Sequence, residues 1–267
     1  MKRLLSIAGS DPSGGAGVQA DLKTFAAFRC YGMAAITALT VQNTKGVAHV
    51  VPVEPQVVRA QIDAVFDDIA VDAIKIGMLA RVETAQAVAA SLRCAQARNI
   101  VVDPVLAATR GGPLDEIGLA AALMSELAPL AALLTPNLSE AAALSGTAPA
   151  RSVAEMERQA EKLVEAGARA VLVKGGHLHG EPVDALYADG GVTLFPGVRI
   201  ATPNTHGTGC ALSSAIACGL AQDFTLTEAV ARAKRWLEAA LAAGAKEKLG
   251  GGAGPPDHFW NFASRLD

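Results

Sequence analysis

Short apolar runs alternate along this chain with longer stretches whose apolar positions recur at helical spacing. That is the rhythm of strand–helix units laid around a parallel sheet. Residues 3–8, 34–40, 73–76, 100–102, 132–134 and 170–173 are the candidate strands. Candidate helices span residues 16–28, 55–68, 82–97, 116–127, 138–145, 153–166, 207–221 and 227–243. Residues 183–187 and 192–196 flank Asp189-Gly190-Gly191, which predicts a β-hairpin. Gly32 and Gly167 follow the first and sixth helices, where a helix stop is expected. The pattern predicts an α/β fold of three αβα layers with a central, mostly parallel sheet.

No internal repeat or linker interrupts this alternation, so residues 1–267 read as one domain. The run Gly250-Gly251-Gly252-Ala253-Gly254-Pro255-Pro256 reads as a flexible turn, too late to separate domains. A chain with 51% hydrophobic residues and this length buries a sizeable core without disulfides or structural metal. The net charge of −3 and the scattering of basic residues argue against nucleic-acid binding. The one tight basic pair within a helix, Lys234-Arg235, is expected on a solvated face. The 4 cysteines form no CxxC pair and no His/Cys zinc spacing, which fits free thiols in a reducing cytoplasm. The N-terminal apolar stretch, broken by Ser6, is too short for a secretory signal. No stretch of about 18 apolar residues is free of charge and glycine, so no membrane span is expected.

In such sheets, ligands bind at the carboxyl ends of the strands, which directs attention to the segments after each apolar run. Gly9 to Gly17 link the first strand to the first helix, with glycines that admit a ligand and open an anion-friendly helix start. The segment matches neither GxGxxG nor GxxxxGK[ST], and a plain tight turn explains it equally well. Asp21, one turn further on, either reaches the same pocket or is an exposed helix carboxylate. After the second strand, Gln42 can donate to and accept from a heteroaromatic ring edge, while Asn43 reads as a turn cap. Met78 follows the third strand and either packs a flat ring or belongs to the core. Asp103, stopped by Pro104, is aimed at the ligand edge for a metal or phosphate role, or else initiates a turn. Asn137 and Glu140 form a capping box, and the carboxylate could also hold Mg²⁺ through water. Lys174, beside Gly175 and Gly176, meets a phosphate or snorkels at a sheet edge.

The strongest segment is Asn204-Thr205-His206-Gly207-Thr208-Gly209-Cys210-Ala211, which opens a long apolar helix. Small residues at a helix start present unpaired N–H groups at the positive end of the dipole. Such a nest stabilises charge on a transferring phosphoryl group. Cys210, just inside, is expected to have a lowered thiol pKa there and is a candidate base. Cys218 reads as a core residue.

Together, AGSDPSGGAGVQADLKTF, ALTVQNTKGV, KIGML, VVDPV, TPNLSEA, VKGGH and NTHGTGCALSSA resemble the hydroxymethylpyrimidine/phosphomethylpyrimidine kinases of thiamine synthesis, in the ribokinase-like superfamily. The resemblance runs from Leu5 to about Ala243. It implies a ribokinase-like αβα homodimer that uses ATP and Mg²⁺ on 4-amino-5-hydroxymethyl-2-methylpyrimidine and then on its monophosphate. By motif position, Gly9, Asp21, Gln42, Met78 and Val105 would line the pyrimidine. Asp103 and Glu140 would fall on the metal side, and Asn137, Lys174 and Thr208 on the nucleotide. Gly207, Thr208 and Gly209 would form the anion hole, and Cys210 would stand where the wider superfamily carries an aspartate base.

One stretch departs from the pattern. Where many members carry an MVAKSG-like flap, this chain reads Leu106-Ala107-Ala108-Thr109-Arg110-Gly111-Gly112, without the lysine. Arg110 is the candidate replacement, and the second phosphorylation is the step in question. The rival within enzymes is a pyridoxal or pyridoxine kinase, but relatives selective for that ring tend to lack Gln42. A non-catalytic pyrimidine sensor is disfavoured by Lys174, Glu140 and the turn at Thr208. A hydrolase is disfavoured by the lack of a GxSxG elbow.

Overall fold

The computed structural model describes residues 1–106, 117–176, 178 and 180–262. Its strands are β1 (Arg3–Ser10), β2 (Tyr31–Asn43), β3 (Gly46–Pro52), β4 (Ala73–Ile76), β5 (Ile100–Val102), β6 (Leu133–Leu134), β7 (Val171–Val173), β8 (Val183–Ala188) and β9 (Gly191–Pro196). Its helices are α1 (Gly17–Ala27), α2 (Pro55–Asp68), α3 (Val82–Cys94), α4 (Leu119–Ala122), α5 (Leu138–Ser145), α6 (Val153–Glu165), α7 (Thr208–Ala221) and α8 (Leu226–Ala243). The strands form one 9-stranded sheet in the order β3-β2-β1-β4-β5-β6-β7-β8-β9. Pairing is parallel from β2 through β7, and β3, β8 and β9 add antiparallel edges.

Successive strand residues point to opposite faces, and here both faces are covered. Leu5, Ile7, Ile76 and Val102 pack under α2 to α6, with Ile62, Leu92 and Leu163 among the helix residues facing them. Leu4, Val101, Leu133 and Leu172 face α1, α7 and α8 through Phe25, Ile216 and Trp236. This two-sided burial explains why the central strands are apolar throughout. Helix α7 is buried at every position from Ala211 to Ala221. Gly219 lets α8 approach, since a Cβ there would lie 2.8 Å from Ala229 Cβ.

Several expectations need correction. Residues 41–43 belong to β2, which continues into an antiparallel hairpin with β3, an element the sequence pattern did not predict. The first helix stops at Arg29, in the left-handed region with φ 58°, rather than at Gly32. Gly32 instead lies inside β2, where a Cβ would come 2.7 Å from Leu22 Cδ2 of α1. Within the predicted helix 116–127, α4 continues as one wider turn, Leu123–Leu127. Lys234 is not on a solvated face: it pairs with Asp184 of β8 at 2.5 Å. Gly167 ends α6 with φ 113°, and Asp189-Gly190 turn the β8–β9 hairpin with φ 52° and 75°, both as expected.

Strand order reverses at β1: the chain runs outward to β2 and β3, then returns to β4 on the other side. That switch opens a crevice at the carboxyl ends of β1 and β4. The candidate site sits there.

Candidate active site

A cleft of about 1090 Å³ runs along the carboxyl edge of the sheet. Gly9, Gln42, Met78 and Val105 line one end, and Asp103, Asn137, Glu140 and Lys174 line its middle. Gly207, Thr208, Gly209 and Cys210 also border it. The amides ahead of α7, the Gln42 amide and the Lys174 ammonium therefore converge on one cavity, although Gln42 lies more than a hundred residues from the other two in sequence. The far end is bounded by Val198, Leu237 and Leu241.

The turn into α7 begins at Gly207, in the left-handed region with φ 74°. A side chain there would also collide with the Gly15 carbonyl, so the two glycine-rich loops lock backbone to backbone. The first turn of a helix leaves N–H groups without intrahelical partners, and those of Gly209 and Cys210 open α7. A Cβ on Gly209 would stand 3.2 Å from Lys174 Nζ and 3.5 Å from Asp103 Oδ2, so turn, cation and carboxylate are in contact.

Lys174 Nζ donates to Asp103 Oδ1 at 2.7 Å. The Thr135 hydroxyl, at 3.2 Å, and the Ser213 hydroxyl, at 3.4 Å, complete the donors to this carboxylate. Burial works to raise the Asp103 pKa, but Lys174 and Lys75 outweigh it and hold the carboxyl below its ordinary value. Burial likewise opposes the charge on Lys174, and Asp103 and Glu140 reverse that and raise its pKa. Asn137 caps α5 by accepting from the Ser139 and Glu140 amides, both at 2.9 Å, and Glu140 Oε2 accepts from the Asn137 amide at 2.8 Å. The capping box is thus real and also places Glu140 beside the cleft. Burial pushes Glu140 up to about 7, and neighbouring Asp103 adds to the rise against the pull of Lys174.

At the other end, Met78 lies against Gly9, where a Cβ would collide with its terminal methyl group. Val105, Met78 and Ala38 form a small apolar wall. His206 Nε2 stands 2.8 Å from Asp11 Oδ2 and 3.2 Å from Gln42 Nε2. One ring proton serves the carboxylate, the stronger acceptor, which leaves the Gln42 amide hydrogens to meet a ligand. Asn43 Oδ1 accepts from the Lys45 amide at 2.8 Å, the turn-capping role expected of it.

Two expectations fail here. Asp21 does not line the cleft: it is 0% exposed, between α1, α7 and the sheet. Its carboxylate accepts from Ser6 at 2.6 Å, Ser214 at 2.8 Å and Lys75 at 2.9 Å. It is neither in the pocket nor exposed, because Ser214 and Lys75 arrive from distant segments and close over it. Cys210 does not have a lowered pKa. Burial pushes its thiol up to about 11, Asp21 and Asp103 add to the rise, and Lys75 and the Gly17 amide do not reverse that. Cys218 is fully buried in the core, as expected. Residues 107–112, with Arg110, lie outside the described residues.

Sequence reading passed over Lys75, Asp11 and Arg199. Lys75 is 0% exposed yet reaches the cleft wall, and Asp21 holds its ammonium pKa far above normal despite burial. The available signal was a lysine within the apolar strand AIKI. Asp11 organises the first loop by accepting from the Ser13 amide and hydroxyl, both at 2.8 Å, and from the Ala16 amide at 2.8 Å. Burial opposes its ionisation, but these donors and His206 lower its pKa to about 2. Arg199 ties the loop after β7 through the carbonyls of Gly176, at 3.2 Å, and Leu178, at 2.9 Å.

The pattern of the phosphomethylpyrimidine kinase family matches residues 11–257. A hydroxymethylpyrimidine/phosphomethylpyrimidine kinase of Rhizobium meliloti (strain 1021) is 53% identical over 256 residues, 96% of each chain. A phosphomethylpyrimidine kinase structure from Clostridium difficile 630 is 40% identical, with TM-score 0.80, over 90% of this chain and 100% of its own. The ADP complex of Bacillus subtilis pyridoxal kinase is 38% identical, with TM-score 0.89, over 100% of both chains. The chain therefore belongs to the phosphomethylpyrimidine kinase family, with the ribokinase-like fold.

Proposed function

We propose that this chain phosphorylates 4-amino-5-hydroxymethyl-2-methylpyrimidine with ATP and then converts the monophosphate to the diphosphate, as a step of thiamine biosynthesis. The observation that carries this reading is the convergence of Gln42, Lys174 and the turn at residues 207–209 on one cleft. Phosphoryl transfer asks for positioning and charge stabilisation more than for covalent chemistry, and the cleft is furnished for that. Gln42 offers amide hydrogens to the ring edge, and Gly9, Met78 and Val105 supply the surfaces for a flat ring. The apolar side chains of Val198, Leu237 and Leu241, which line the cleft, suit the base of the nucleotide. Lys174 and the amides at the start of α7 neutralise charge as it spreads over the transferring group. Asn137 and Thr208 border the phosphate path. Cys210 meets the acceptor hydroxyl as a neutral thiol, so it orients the nucleophile rather than waiting as a thiolate.

The carboxylates fit magnesium in this role. Among the described residues there is no cluster of three or more His, Cys, Asp or Glu side chains able to hold a metal by themselves. Mg²⁺ at nucleotide sites uses one or two carboxylates plus phosphates and water, which Asp103 and Glu140 can supply. Burial raises the Glu140 pKa and nearby Asp103 adds to the rise, and a cation held by the two carboxylates would offset it. Bound there, the metal would supply charge neutralisation for the ATP phosphates.

The proposal takes residues 1–267 as one catalytic domain working as a cytoplasmic homodimer. No described helix is long and apolar enough to cross a membrane. The outer face of the β2–β3 hairpin exposes Leu39, Val41 and Val51, an apolar surface suited to a second copy.

The test is incubation with Mg·ATP and the pyrimidine alcohol, its monophosphate or pyridoxal, with products read by mass spectrometry. Mono- and diphosphate of the pyrimidine are expected. Exclusive phosphorylation of pyridoxal would overturn the assignment, and binding without ADP release would leave a sensor.

A further inference from the structure

The chain beyond α8 returns to the cleft, where Ala253 forms part of the lining. Its Gly252 amide donates to Thr44 Oγ1 at 3.1 Å, and its Ala253 amide to the Thr44 carbonyl at 2.9 Å. Thr44 is the tip of the β2–β3 hairpin, two positions beyond Gln42. Gly254 then joins the opposite wall. Its amide donates to Asn204 Oδ1 at 3.0 Å, and its carbonyl accepts from the His206 amide at 3.0 Å. Asn204 is buried, and its amide nitrogen also donates to the carbonyls of Gly244 and Glu247 at 2.6 and 2.7 Å. The His206 ring, held by Asp11, stands against Gln42 at 3.2 Å, a packing contact that closes the circuit. A ring of contacts thus runs from Gln42 through Thr44, residues 252–254 and His206 back to Gln42.

The glycines of this segment are required by closeness rather than by looseness. A Cβ on Gly252 would collide with the Thr44 carbonyl. One on Gly254 would lie 2.5 Å from Asn204 Oδ1, and one on Gly250 2.5 Å from Thr44 Oγ1. A run that reads in sequence as a flexible turn is, in the fold, packed at three glycines against the Thr44 carbonyl and the Thr44 and Asn204 side chains.

We propose that residues 250–254, anchored by Asn204, are a positioning strap that sets the distance between Gln42 and the phosphate-binding turn at residues 207–209. This rests on the functional reading above and deepens it. The two halves of the site come from opposite ends of the chain, and two-stranded hairpins hold their shape poorly alone. A misplacement of about 1 Å between nucleophile and phosphoryl group costs on the order of 10²-fold in rate. The strap joins the hairpin tip to the loop that leads directly into the turn, so it acts on that distance.

Gly252→Ala and the shape-conserving Thr44→Val test this in the full-length protein, by steady-state kinetics and by hydrogen exchange. Gly252→Ala is expected to lower kcat/KM for the pyrimidine by about 10²-fold through both constants, with KM for ATP unchanged. Exchange should rise together in the hairpin around Thr44 and in the loop from Asn204 to Gly209. Thr44→Val should shift both readouts in the same direction by less. Parallel loss of affinity for ATP and pyrimidine, or exchange raised only within the substituted segment or throughout the chain, would reduce the strap to packing. A wild-type protein inactive on the pyrimidine would defeat the functional reading, while the exchange pattern would still decide the strap.

Discussion

At the residue scale, the titrating groups carry the sharpest predictions. The Cys210 thiol, pushed up to about 11 by burial, stays protonated through neutral pH. If Cys210 orients the acceptor hydroxyl as proposed, Cys210→Ala is expected to lower kcat by about 10²-fold through lost positioning. The pH–rate profile between about 6 and 9 should show no limb that Cys210→Ser removes; such a limb would mean that the thiol ionises during turnover. Asp11 has the opposite shift, from 3.8 to about 2. A depressed carboxyl contributes stability that is complete above the unfolded pKa and is lost as pH falls through the folded one. Asp11→Asn should therefore cost about 2 kcal/mol at neutral pH. Urea unfolding should show the gap from wild type constant down to about pH 4 and closing toward pH 2. Some residues were legible without a fold. Asp103 leaves a buried apolar strand and is stopped by proline, and the small residues before α7 declare a helix start. Asp21 was misread because its place one turn into α1 allowed a carboxylate in the pocket or in solvent, and nothing local shows the groups that close over it. Its partners are Ser214 and Lys75, 193 and 54 residues away.

At the element scale, the Lys75–Asp21 pair joins β4 to α1, and Ser214 adds α7 to the same knot. Removing one partner leaves a buried charge alone, which costs about 3–5 kcal/mol, whereas replacing both by apolar groups recovers much of it. Lys75→Met should lower stability by that amount in urea unfolding, and the further change Asp21→Leu should restore most of the loss. If the double variant stays as unstable as the single one, the pair does more than neutralise charge. The central strands and most helices were legible because their apolar periodicity is strong. The β3 strand was not, since an edge strand half exposed on both sides lacks the continuous apolar run that marks the interior. Gly32 shows the same limit: its spacing fits a helix stop, but the close approach of Leu22 across two elements explains it instead.

For the whole molecule, the sheet is the instrument that gathers distant segments. Its order reverses at β1, so the loops after β1, β4, β5, β6 and β7 open on one edge, and α7 aims its first turn at them. The apolar outer face of the β2–β3 hairpin has its consequence at this scale too. Leu39→Asp combined with Val51→Lys should turn a dimer into a monomer in sedimentation, with the monomer still folded by circular dichroism. Unchanged sedimentation of a dimer would place the interface elsewhere. The amino-acid order alone determined the layer pattern, the family motifs, the helix start before Cys210 and the capping box at Asn137, because each is written within a few consecutive residues. The tertiary structure alone decided that Asp21 is sealed away, that the Cys210 thiol is raised, and that the glycine run after α8 is a tight strap. Those outcomes depend on desolvation and on contacts between segments far apart in the chain, which local spacing does not encode.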